Sequence, residues 1–98
     1  MALEVEWADE ALSELDMIIT YLEANWSDRE IRNFFIRLEE CIDRISDAPQ
    51  RQKNSLRKPG VKEYQHSQQT TIFYNYNSTT VFILQIWSNF RDPKDLSK

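Results

Sequence analysis

Residues 70–87 read TTIFYNYNSTTVFILQIW, and the fold follows from how that stretch is divided. Thr70 to Tyr76 is β-branched and aromatic, Thr80 to Trp87 is the most apolar run in the chain, and Asn77-Ser78-Thr79 between them has turn chemistry. Two strands on either side of such a turn read as a hairpin. The second suits a central strand, covered on at least one face. Immediately upstream, Val61 to Gln65 alternates weakly and is predicted as a further strand, reached through the Pro59-Gly60 turn signal.

Outward from these strands, the first half of the chain changes period. Leu3-Glu4-Val5-Glu6-Trp7 alternates apolar and acidic residues, the pattern of a half-buried strand. Ala8, Ala11, Leu12, Leu15, Ile18, Ile19 and Leu22 then recur at three- and four-residue steps, the signature of a helix with one apolar face. Glu10, Glu14, Asp16 and Glu23 fall mainly on the other side, and Asp9 is the expected N-cap. Asn25 and Trp26 end that helix. Ser27 and Glu30 have the spacing of a capping box for the next one, in which each side chain satisfies an orphan N–H at the other's position. Ile31, Phe34, Phe35, Leu38, Cys41, Ile42 and Ile45 continue at helical spacing until Pro49, which stops the helix near Ser46 or Asp47. So short a connection makes the two helices antiparallel neighbours. The expected fold is one α+β domain over residues 1–98, in the order βααβββ. A helical hairpin covers one face of a four-stranded antiparallel sheet.

Composition narrows the function classes. Cys41 is the only cysteine and His66 the only histidine, so a disulfide framework, a thiolate cluster and a His-based zinc site are excluded, and no metal or other cofactor is implied. No apolar run approaches the roughly 20 residues needed to span a bilayer, and the start MALEVEW carries acids where a signal peptide carries bases. A cytoplasmic protein without a membrane partner is expected. The net charge of −4 conceals a split: residues 1–50 hold thirteen acids against four arginines, and residues 51–98 hold eight bases against three acids. Opposite signs in the two halves point to macromolecular partners.

The candidate chemistry lies in the basic half. If the last two strands pair, Arg91 is brought towards Lys62 and the loop carrying Arg57 and Lys58, beside Tyr64, Tyr74 and Tyr76. Such a cluster suits phosphate contacts and base stacking, although strand tyrosines commonly serve the core. His66 is the default proton carrier, since its unperturbed pKa lies near neutrality, but a histidine at a strand end is ordinarily a surface residue. Cys41 falls on the apolar helical face and reads as an inert core thiol. Trp7, Trp26 and Trp87 read as core edges.

These features together resemble the RelE/ParE superfamily of bacterial toxin–antitoxin toxins. The likeness rests on Trp7-Ala8 leading into Ala11 to Leu15, on Asn25-Trp26-Ser27 at the helix joint and on Pro59-Gly60-Val61-Lys62-Glu63. It extends through the aromatic strand Ile72 to Tyr76 and the ending Asn89-Phe90-Arg91-Asp92-Pro93. The resemblance implies a type II toxin neutralised by a cognate antitoxin in a heterocomplex, with a homodimer as a further possible state. RelE-like members cut messenger RNA in the ribosomal A site without a metal, whereas ParE-like members inhibit DNA gyrase and are not enzymes. For the nuclease it implies Lys62 and Arg91 on the scissile phosphate, to which the reading of the residues adds His66 as proton carrier. For binding to target or antitoxin the candidates are Arg57, Lys58, Lys62, Tyr64, Tyr74 and Arg91, of which the resemblance itself supports Lys62 and Arg91. The sequence pI near 4.9 and Thr70 and Thr71, where several nucleases have a strand arginine, favour the gyrase-directed reading. An inactive relative that only binds its antitoxin is the third alternative.

Overall fold

The computed structural model describes residues 2–56 and 58–88. In chain order the elements are β1 (Glu4–Trp7), α1 (Asp9–Asn25), α2 (Asp28–Asp47), a 3₁₀ turn (Pro49–Arg51), β2 (Lys62–Gln65), β3 (Thr70–Tyr76) and β4 (Thr80–Ser88). The four strands form one sheet in the order β1-β4-β3-β2. Element order matches the sequence reading; strand direction does not in full. β2, β3 and β4 are antiparallel, but β1 runs parallel to β4, from Glu4 opposite Thr80 to Trp7 opposite Ile83. The sheet is therefore mixed. Two tight turns force antiparallel pairing on the last three strands, whereas β1 and β4 are joined through both helices, long enough for a parallel return.

The helix ends show how local sequence sets the geometry. Ala8, not Asp9, is the N-cap of α1, and it makes no side-chain cap bond. Its N–H still belongs to the sheet and donates to Ile83 O at 2.9 Å, so the helix begins directly at the strand's last bond. Asp9 falls in the first turn, where its charge favours the helix dipole. The capping box of α2 is complete: the Glu30 N–H donates to Ser27 Oγ and the Ser27 N–H to Glu30 Oε1, both at 3.3 Å. At the other end α2 stops at Asp47, two residues before Pro49.

The core lies between the helices and one face of the sheet. Ala11, Ile18 and Leu22 of α1 and Phe34, Leu38, Cys41 and Ile45 of α2 pack against Ile72, Tyr74, Val81, Ile83 and Ile86. Burial pushes the Cys41 thiol pKa up, consistent with an unreactive core group. Trp7 packs at the core margin, while Trp26, at the helix joint, is exposed. A bulge interrupts the β3–β4 pairing: Phe73 lies opposite Gln85 and Tyr74 opposite Ile83, leaving Leu84 as the extra residue. Among the described residues no helix is long and apolar enough to cross a membrane.

Candidate functional site

The basic loop is organised by the Pro59-Gly60 turn. Val61 N–H donates to Lys58 O at 3.3 Å and Gly60 has φ +77°, which is the type II arrangement with proline first and glycine second. The turn folds the loop back along β2. Ser55 N–H donates to Val61 O at 2.7 Å and Glu63 N–H to Lys53 O at 3.1 Å, so residues 53–55 cover the outer edge of that strand.

This folding separates side chains that the sequence grouped together. Lys58 stands over the ring of Phe73, 5.7 Å from its centroid, and its amine donates to Gln85 Oε1. Lys62 pairs with Tyr74 and Tyr64 with Ile72 in the β2–β3 register, so these two share the core-facing side of the sheet, opposite Phe73. The Lys62 amine donates to Gln52 O at 2.7 Å and to Asn54 Oδ1 at 3.1 Å. Tyr64 packs at the margin of the core. It lines a cleft of about 420 Å³ with Gln65, Arg44 and Asp47 of α2, and Arg51 and Gln52 just beyond that helix. Arg57 and Arg91 lie outside the described residues.

Two further expectations are corrected by burial. Tyr74 is 0% exposed, and its hydroxyl donates to Pro49 O at 2.6 Å, so its ring belongs to the core and not to a stacking surface. Burial, reinforced by neighbouring Tyr76 and Tyr64, holds its pKa far above the ordinary tyrosine value. His66 is 2% exposed. Its Nε2 lies 3.2 Å from Phe34 O, its ring stacks obliquely on Phe34 at 4.6 Å, and Arg37 Nε donates to its backbone carbonyl. Burial lowers the imidazole pKa, against the raising effect of the Phe34 carbonyl. The neutral ring with its proton on Nε2 therefore fits the site, and it pins the β2–β3 turn to α2. A substrate phosphate has no access to that nitrogen here. Among the described residues no group of three or more His, Cys, Asp and Glu is placed to hold a metal.

The opposite edge of the sheet contains a residue that the sequence reading placed with the solvated acids. Glu14 Oε1 accepts the Ile86 N–H and Glu14 Oε2 accepts Gln85 Nε2, each at 3.0 Å. β1 pairs only with Thr80 to Ile83, so a side-chain carboxylate takes the place of a strand acceptor where β1 has ended. The signal was present: Glu14 stands three residues after Ala11 and four before Ile18, on the apolar stripe of α1. Arg44 was likewise overlooked, being counted in the acidic half, although the last turn of α2 carries it towards Tyr64.

Comparison with known proteins adds to this geometry. A family model described as the ParE toxin of the type II toxin–antitoxin system parDE matches residues 5–93. Among solved structures, the fold is similar to the chromosomal ParDE toxin–antitoxin system from P. aeruginosa, with a TM-score of 0.68 at 15% identity, over 89% of this chain and 96% of that one. It is also similar to the E. coli DinJ–YafQ toxin–antitoxin complex, with a TM-score of 0.58 at 4% identity over 90% and 93% of the two chains. A YafQ variant from E. coli gives 0.57 at 6% identity over 89% and 93%. No curated protein matches the sequence.

Proposed function

The chain belongs to the ParE toxin family of type II toxin–antitoxin systems, and from that premise we propose that it arrests growth by binding an essential cellular machine, with DNA gyrase as the target, until a cognate antitoxin neutralises it. The observation that carries this choice over RNA cleavage is the position of His66. The chain's only imidazole is buried against Phe34, which removes the side chain best suited by its pKa to carry the proton in cleavage through a 2′-OH. The Lys62 amine is also held by Gln52 and Asn54. That commitment suits a fixed binding surface. In this reading Lys58, Lys62 and Tyr64 contact the target, together with Arg57 and Arg91, and no cofactor takes part.

The test is to induce the chain in bacteria and follow labelled thymidine and labelled amino acid over the first minutes. Thymidine incorporation is expected to fail first. If protein synthesis fails first, the ribosome is the target. Arg91→Ala and Lys62→Ala should then abolish mRNA cleavage while leaving antitoxin affinity nearly intact. If neither changes, the chain acts only through its antitoxin.

A further inference from the structure

A chain of hydrogen bonds runs from α1 to the basic loop, and the gyrase-directed reading leaves it unused. It begins where β1 ends. From Leu84 onward β4 has no β1 residue beside it, and Glu14 takes that edge: its Oε1 accepts the Ile86 N–H and its Oε2 accepts Gln85 Nε2, each at 3.0 Å. A carboxylate only accepts, so the Gln85 amide turns its NH2 to Glu14 and presents its oxygen to the other side. That oxygen accepts the Lys58 ammonium. The bulge at Leu84 makes the reach possible. It sets Gln85 opposite Phe73, the ring over which Lys58 stands.

We propose that Gln85 is a positioning residue: oriented by Glu14, it holds the Lys58 ammonium over Phe73 for an anionic group of the target. The assignment rests on the gyrase-directed reading above, in which Lys58 is a target contact. Lys53 and Lys62 are held otherwise. Lys53 faces the Glu63 carboxylate, and Lys62 donates to Gln52 O and Asn54 Oδ1. Lys58 has a neutral acceptor, which fixes the amine without cancelling its charge, and among the described residues it has no ion pair. An ammonium carries three N–H donors, so donors are left over for a partner. The backbone is fixed as well: Lys58 N–H donates to Ser55 Oγ at 3.2 Å, and Lys58 O accepts the Val61 N–H at 3.3 Å. A lysine held in this way loses less rotamer freedom when it binds.

The experiment is a double-mutant cycle on the intact chain, read as the concentration that half-inhibits purified DNA gyrase and as growth arrest on induction. Gln85→Leu frees the ammonium and is expected to weaken inhibition about two- to tenfold, the range for ordering one long side chain. Lys58→Met keeps the stem over Phe73 but removes the charge, and should weaken it about tenfold or more. In the Lys58→Met background Gln85→Leu should then change nothing further, because Gln85 acts through Lys58. Equal losses in both backgrounds would make Gln85 merely structural and overturn the assignment. So would a Gln85→Leu chain that inhibits like the unaltered one, or a Lys58→Met chain without effect. Thermal melts verify that each variant folds, and Gln85→Met, unbranched and similar in length, takes the place of Gln85→Leu if that variant does not. If the unaltered chain arrests growth but leaves gyrase active, the gyrase reading fails, and the same cycle on growth arrest decides the role of Gln85. If it arrests nothing, the target reading fails and the Gln85 assignment with it.

Discussion

The two sides of the sheet treat charge in opposite ways. On the basic side each described lysine is engaged: Lys53 with Glu63, Lys58 with Gln85 and Phe73, Lys62 with Gln52 and Asn54. On the acidic side Glu14 is engaged with Ile86 and Gln85, whereas among the described residues Asp16 and Glu23 have no ion pair. Side chains already committed to internal bonds hold a loop in shape. Exposed carboxylates along a helix contribute to the surface field instead. Charge totals place both regions among the interaction surfaces, but the hydrogen bonds tell which charges hold the fold: the three lysines and Glu14.

The sharpest way to break this contrast is to remove the one acid that does belong to the fold. Glu14→Ala leaves Ile86 N–H without its acceptor and releases Gln85, and is expected to cost about 2–3 kcal/mol in chemical denaturation. Glu14→Gln should recover part of that through its remaining carbonyl oxygen. If Glu14→Ala proves neutral, the carboxylate is no substitute for a strand, and Glu14 joins Asp16 and Glu23 as a surface charge.

On the basic side the corresponding anchor is uncharged. Tyr74 ties the Pro49 carbonyl, at the root of the basic loop, to the centre of the sheet. Tyr74→Phe deprives that buried carbonyl of its donor and should cost about 1–2 kcal/mol, read as a lower denaturant midpoint at unchanged slope. A changed slope would show instead that the loop had come away from the sheet.

Both anchors explain how far the sequence could be read. The helices, the capping box, the Pro59-Gly60 turn and the β3–β4 hairpin were all legible, because adjacent residues encode them. The direction of β1 was not, since it depends on pairing Glu4 with Thr80 across both helices. The faces of Lys58 and Lys62 depend on how the loop returns along β2, and the bulge at Leu84 shifts parity with no composition signal. His66 followed the same pattern. A polar residue just after a strand reads as solvated, yet Phe34 and Arg37, some thirty positions earlier, close over it. Only Glu14 could have been found by stricter use of helical spacing.

His66 offers a gentler test, because it joins the two halves through α2. Its folded pKa is depressed below the ordinary value of 6.5, so the unfolded chain binds more protons just below that pH. Stability contributed by the neutral ring is present above about 6.5 and is lost as pH falls towards the folded pKa. Melting temperature should be flat from about pH 7 to 8 and should decline below about 6.5, before carboxylates titrate near 4. His66→Gln, which retains a donor for Phe34 O, should remove that decline. A decline that persists in the variant would assign it to other groups.

The smallest effect expected is at Lys53, and it tests whether the basic side is held by its charges at all. The Lys53–Glu63 pair spans 3.4 Å, but the Lys53 side chain is 76% exposed. Solvent screens such a pair, and ordering a long side chain opposes it, so Lys53→Ala should cost no more than about 0.5 kcal/mol. The backbone bond from Glu63 N–H to Lys53 O survives the substitution and keeps the loop on β2. A loss well beyond that, restored by Lys53→Arg and weakened by salt, would mean that charge pairing shapes the basic loop. The basic loop would then depend on electrostatics as well as on hydrogen bonds, and the contrast with the acidic side would narrow to whether a charge finds its opposite among the described residues.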